Sequence, residues 1–214
     1  MLDWFLEIDV SLFKAINGLA GGALSPEVTN VLNSVMWYTS MAQMWIPLYV
    51  ILLVAMWMKF TQRNSRFIIT IGIIVTLALA DTISARILKP TAARLRPSHQ
   101  IELAEDLNLQ IKADGTLYRG GKYGFVSSHA ANHMAIAIFV GGLLSSASSS
   151  VVLFALVFWA FAIGLSRVYL GVHFPSDVFF GWMLGGMLGL VVLKLATRLN
   201  TRFAINTNTI NLKT

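Results

Sequence analysis

With 214 residues, 56% of them hydrophobic and only 12% charged, the chain carries about half the charge of an ordinary soluble domain, for which roughly 25% is usual. That deficit, with the length of the apolar runs, points to a single integral membrane domain over residues 1–214 whose surroundings are a lipid bilayer. The net charge of +6 lies in short hydrophilic islands without aromatic–basic interleaving, so no nucleic acid partner is expected, and the absence of cysteine excludes disulfides and thiolate metal sites.

The amino terminus, MLDWFLEIDV, has no basic leading region and carries Asp3, Glu7 and Asp9, which makes a poor signal peptide. Insertion is expected to rely on internal spans. Over residues 2–19, Leu2, Phe5, Leu12, Phe13, Ile16 and Leu19 recur at helical spacing with acids between them. This predicts an amphipathic helix, either at the membrane interface or packed on the bundle. Gly18 to Gly22 break it, and Ser25-Pro26-Glu27 has the form of a helix start, predicting a short helix over about 26–37.

Five stretches then approach the roughly 20 residues that a helix needs to cross the hydrocarbon core: about 41–58, 67–88, 129–147, 151–166 and 178–197. They are continuously apolar with no period-two alternation, so helices and not barrel strands are implied. The fold class is all-α, a polytopic transmembrane helix bundle of five to six spans with an N-terminal amphipathic helix. The connection KFTQRNSR at 59–66 and the tail after 197 are basic and free of acids, which places them in the cytoplasm. Residues 89–128 and 167–177 then share the outer, periplasmic face of an inner-membrane protein. SSASSS at 145–150 reads as a turn between spans. Residues 98–124 form the one long polar excursion, with a hairpin-like turn at Asp114-Gly115, and read as an inert connector, with a lid over the site as the alternative.

Three polar stretches at span ends hold the parts of an anion-handling site. In KPTAARLRP, Lys89 offers a compact charge and Arg96 a fork of donors suited to phosphate oxygens, although both residue types also snorkel at helix ends. In FVSSHAANHMA, Ser127 and Ser128 precede His129 at the start of an apolar run, where unpaired backbone N–H groups seat an anion or a serine simply caps the helix. His133 follows one turn later, but the Glu of an HExxH pair is missing and no carboxylate ligand is close, so no metal site is expected. In SRVYLGVHFPSD, Arg167 ends one span while His173 and Asp177 flank the next. A carboxylate on one imidazole nitrogen fixes the tautomer and raises the basicity of the other, as a nucleophilic histidine requires. Read blandly, Asp177 is an N-cap and His173 a loop residue.

In order, Lys89-x6-Arg96-Pro97, Ser127-Ser128-His129 and Ser166-Arg167-x5-His173-x3-Asp177 resemble the three-part signature of the type 2 phosphatidic acid phosphatase family. The likeness covers about 67–197, and the first and third motifs match at every fixed position. The second has Val126 and Ser128 where the family usually has Pro and Gly, and its FVSSHAAN form looks like the branch found in envelope lipid phosphatases of Bacteroidetes-type bacteria.

The resemblance implies an enzyme acting on a phosphorylated membrane lipid. His173, supported by Asp177, attacks phosphorus to give a phosphohistidine; His129 protonates the leaving oxygen and then activates water. Lys89, Arg96, Arg167, Ser127 and Ser128 hold the phosphoryl oxygens, with the three cations supplying the neutralisation that Mg²⁺ gives elsewhere, so neither a cofactor nor a metal is implied. Candidate substrates are undecaprenyl diphosphate, lipid A phosphates, phosphatidylglycerophosphate and phosphatidate. A vanadate-dependent haloperoxidase shares such a pocket but is soluble. A non-enzymatic anion transporter would need charges along a path, whereas these cluster at one level, apart from Asp81 and Arg86 near one helix end. The oligomeric state is left open.

Overall fold

The structure, a computed structural model, describes residues 2–103, 107–145 and 149–211, the side chains of 2–3 and 203–211 excepted. Residues 146–148 of the serine-rich turn lie outside the described residues, as does Lys213 of the basic tail. Among the described residues there is no strand; isolated antiparallel bridges join Leu95 to Tyr123 and Ile111 to Leu117.

Helix α1, Leu2–Gly18, is followed by α2, Pro26–Ser40, one turn longer than the predicted 26–37. A 3-10 turn, Ala42–Trp45, leads into α3, Ile46–Lys59, and a tight connection into α4, Arg63–Asp81. The chain stays helical through a π-helical stretch, Thr82–Leu88, into α5, Lys89–Ala92. Pro90 has no N–H for the carbonyl one turn back, and the wider π turns precede it. After the polar excursion come α6, Ser128–Leu144, α7, Val151–Tyr169, and α8, Pro175–Asn211. Helix α7 runs three residues beyond 166, and, as expected, a backbone hairpin closes around Gly115, with Lys112 bonded to Thr116 and Tyr118 to Gln110.

Among the described residues four helical stretches are long and apolar enough to cross a membrane: Ala42–Lys59, Arg63–Ala92, Val151–Tyr169 and Pro175–Arg202. The fifth predicted span, 129–147, corresponds to α6, whose 17 residues cover about 25 Å at 1.5 Å per residue. It is shorter than the others because it is not a lipid-facing wall. Ala130, Ala131, Ala135, Ala137, Phe139 and Val140 are buried around its whole circumference, against α3, α4, α7 and α8. Lipid-facing residues lie on the outer helices, with Met58, Phe67, Phe154 and Phe158 largely exposed.

The closest crossing is α6 against α8. Gly181, Gly185 and Gly189 recur every fourth residue, and a Cβ at 181 would stand 2.7 Å from the Ser127 carbonyl oxygen, one at 189 2.5 Å from that of Ala135. At 185 the Ala131 carbonyl leaves no room either. Small residues at this spacing let two membrane helices approach backbone to backbone. The N-terminal ends of both helices therefore sit side by side.

Candidate active site

Helix α7 ends in a left-handed glycine. Gly171 has φ +73°, its N–H bonds to the Val168 carbonyl, and the Val172 N–H reaches back to Arg167 at 3.2 Å. This pair of bonds caps the helix and reverses the chain, so that Arg167 in the last turn of α7 and His173 before α8 come to the same level. His173 is 1% exposed and Asp177 0%, with His173 Nδ1 facing Asp177 Oδ2 at 3.4 Å. That is longer than a closed hydrogen bond, and such contacts tighten when substrate binds. The same carboxylate oxygen accepts the Phe174 N–H at 3.1 Å, so Asp177 caps the first turn of its own helix while it orients the histidine. Asp177 is the third residue of α8, because the helix begins at Pro175, and so is not the N-cap of the bland reading.

The segment carrying Arg96 is pinned by the end of the excursion. Arg96 N–H bonds to the Lys122 carbonyl and Gly124 N–H to that of Arg94, making the Leu95–Tyr123 bridge. Gly124 is required by space: a Cβ there would lie 2.6 Å from Asp177 Oδ2. Arg96 donates from Nε to Tyr123 at 3.0 Å, and Lys89 donates from Nζ to Ser128 Oγ at 2.9 Å. Ser127 is the N-cap of α6, its hydroxyl accepting the Ala130 N–H at 3.5 Å, and its own N–H bonds to the Asp177 carbonyl. Ser128 is thus tied to Lys89 rather than used as a cap. His129 lies in the first turn of α6, within electrostatic reach of Arg167, His173 and Lys89. His133 bonds to the His129 carbonyl and to the Tyr49 hydroxyl, a packing role.

A sequence model of the PAP2 superfamily matches residues 67–201, more than half of the chain. This chain belongs to the PAP2 superfamily. The lipid A 4'-phosphatase of Bacteroides thetaiotaomicron is 29% identical over 212 residues, covering 97% of this chain and 85% of that protein. The lipid A 4'-phosphatase of Porphyromonas gingivalis is 27% identical over 194 residues, covering 91% and 75%. Among solved structures, that of Aquifex aeolicus LpxE aligns with a TM-score of 0.56 at 26% identity over 86% of this chain and 94% of that one. The transmembrane PAP2-type phosphatidylglycerolphosphate phosphatase of Bacillus subtilis, at 22% identity and TM-score 0.59, shares the fold over 92% of this chain and 94% of that one. The protein is a membrane lipid phosphatase, and its PAP2 helices bring together all eight residues singled out from the sequence.

Electrostatics in this PAP2 site are one-sided. Burial, and then the positive charges of Arg96, Arg167 and Lys89, hold the His173 imidazole well below its ordinary value of 6.5, so it is neutral at physiological pH. Burial and the neighbouring Arg167 lower Arg96 to about 10, still fully charged at neutral pH. Arg167 is 2% exposed; its NH2 donates to the Tyr118 hydroxyl at 2.7 Å, its NH1 to Ser40, and its Nε is buried without a partner among the described residues. A guanidinium buried with an open donor and no carboxylate bonded to it is arranged for an incoming anion.

Several residues at the site were not anticipated. Arg94, inside the Lys89-x6-Arg96 spacer, donates to Asp177 Oδ1 at 2.8 Å and to Asp9 Oδ2 at 2.6 Å. Asp9 is 3% exposed and faces the site, so α1 packs on the bundle at this point and its acids do not all face water. The excursion, expected to be a connector, supplies Tyr118 to Arg167 and the backbone that seats Arg96. Among the described residues no group of three His, Cys, Asp or Glu side chains is placed to hold a metal.

Proposed function

We propose that this phosphatase removes a phosphate from lipid A, or from a lipid whose phosphorylated head group is close to it in shape, through a phosphohistidine at His173. The observation that carries the chemistry is the neutral, buried His173 held by Asp177 beneath three buried or half-buried cations, one of which has an open donor. In the first step the free imidazole nitrogen of His173 attacks phosphorus, and the bond to the leaving oxygen breaks as His129 delivers a proton to it. Asp177 stabilises the positive charge that develops on the ring. In the second step His129 takes a proton from water, which attacks phosphorus and releases His173. Lys89, Arg96 and Arg167, with the N–H groups at the start of α6, hold the three equatorial oxygens as charge builds on them. The names of the two curated relatives favour lipid A over the other candidate lipids.

Purified protein assayed against lipid A, undecaprenyl diphosphate, phosphatidylglycerophosphate and phosphatidate, reading inorganic phosphate, tests the assignment. The highest kcat/KM is expected on lipid A, and a higher value on any other member of the panel overturns it.

The active site is assigned to the periplasmic face of the inner membrane. Supporting this, the acid-free connection with Lys59, Arg63 and Arg66 lies at the other end of the bundle. Because the chain has no cysteine, single cysteines at exposed positions Ala113 and Asn64 make a direct test in intact cells. An impermeant thiol reagent should label position 113 and reach 64 only after permeabilisation; the reverse pattern turns the molecule over.

A further inference from the structure

The geometry points to Asp9, on the N-terminal helix and outside the family-matched residues 67–201, as a positioning residue for the His173–Asp177 pair, acting through Arg94 and Ser176. Asp9 Oδ1 accepts the Ser176 backbone N–H at 2.8 Å, one of the donors left unpaired at the start of α8. Asp9 Oδ2 accepts the Ser176 hydroxyl at 2.5 Å and Arg94 NH2 at 2.6 Å. The other arm of the same guanidinium reaches Ser176 Oγ at 2.6 Å and Asp177 Oδ1 at 2.8 Å. One fork thus bridges two buried carboxylates, and its plane lies over Phe174, 4.2 Å from the ring centre. Phe13, one turn after Asp9, meets the same Phe174 ring edge-on at 5.4 Å.

Asp177 has two oxygens with separate duties. Arg94 occupies Oδ1, and this leaves Oδ2 turned toward His173 and the Phe174 N–H. Arg94 is itself partly exposed, and the grip of Asp9 on NH2 is the charged anchor that opposes Asp177 across its fork. Asp9 therefore sets the rotation of the catalytic carboxylate without touching the histidine or the phosphate seat. Lys89, Arg96 and Arg167 make no bond to it.

This rests on the phosphohistidine reading of His173. Wild-type protein inactive on every phosphorylated lipid would remove that reading, whereas active wild type with an unaffected Asp9 variant removes this inference alone. Asp9→Asn keeps an acceptor for Ser176 and loses the charge that holds Arg94. In the purified variant kcat should fall about 10- to 100-fold, the scale of a misplaced catalytic group, while KM stays within about threefold. Inhibition by orthovanadate should be unchanged, because the three cations are intact. Arg94→Gln should show a similar loss, and the double variant should be no worse than Arg94→Gln alone, since the two act as one unit. A residue that merely glued α1 to the bundle would lower the melting temperature and leave kcat of the folded protein alone; that result, or losses that multiply in the double variant, overturns the inference. Should Asp9→Asn fail to fold, Asp9→Glu retains the charge but displaces the carboxylate by a methylene. It should lose at least about tenfold in kcat at near wild-type melting temperature, and activity within about threefold overturns the inference equally.

Discussion

Both ends of the bundle hold clustered cations, and they are put to opposite uses. At the end away from the site, Lys59 donates to the Leu144 and Ser145 carbonyls at 3.1 Å each, and Arg66 donates to the Phe60 carbonyl at 2.9 Å and to Trp57. These are the unpaired oxygens at the C-terminal ends of α6 and α3, where a positive charge also meets the negative end of the helix dipole. The Lys59 and Arg66 donors named here are spent on the protein's own backbone. At the site end, Arg167 and Arg96 are buried, Lys89 is half-buried, and Arg167 keeps a donor with no partner. A fourth cation beside them, Arg94, shows the contrast within a few ångströms: two carboxylates engage its fork, so it serves the scaffold and not the phosphate. A basic residue at a span end carries function when its burial is left uncompensated inside the protein, not simply because it is basic.

Removing His173, the nucleophile proposed above, should produce the largest difference between the two ends. His173→Ala is expected to reduce phosphate release to background with the protein still folded in detergent; turnover near the wild-type rate would end the phosphohistidine mechanism. Asp177→Asn should keep a small residue of activity, because the ring remains and only its orientation and basicity suffer.

A second expected effect is on pH dependence, which sharpens the contrast because only the site end holds a buried titrating ring among cations. Burial and the neighbouring positive charges depress the folded pKa of His173 below the unfolded 6.5. Its contribution to stability is therefore fully present above pH 6.5 and is lost as pH falls through the folded value. The neutral ring needed for attack likewise persists below 6.5. The acid limb of kcat/KM should lie beneath that pH, and a midpoint above 7 would contradict the site electrostatics.

The smallest expected effect belongs to the far end. Lys59→Ala should lower stability by about 0.3–1 kcal/mol, the worth of a cation at a helix C-terminus, and leave kcat and KM unchanged. Thermal unfolding in detergent alongside the phosphate assay separates the two, and a loss of activity without loss of stability would dissolve the distinction between the ends.

The three motifs were legible in the sequence because each sits at a span end, where ionisable side chains between apolar runs stand out. Helix positions were legible for the same reason, and their limits differed where tertiary burial intervened: α6 stops short because the other helices enclose it. What escaped was every residue whose meaning is a contact across the chain. Asp9 looked like one more acid on an amphipathic face, since nothing nearby in sequence says that it meets residues 94 and 176. Arg94 was read as a spacer between Lys89 and Arg96, because a motif defined by fixed positions assigns no role to those between. Ser40 and Tyr118 carry no signal of their own; each is an ordinary hydroxyl until Arg167 is buried beside it.

The glycine ladder of α8 makes the rate of reaction depend on side chains that are not there. His129 and Asp177 ride on α6 and α8, and the approach of these two helices is set where Gly181 faces the Ser127 carbonyl. A methyl group at 181, remote from phosphorus and without charge, would act as a shim that lifts one helix off the other. Reacting groups must meet within about 3–3.5 Å, and a displacement of an ångström weakens catalysis about a hundredfold. The tolerances of this enzyme are thus machined into its backbone, and an alanine there would detune the chemistry by moving site residues whose identities are unchanged.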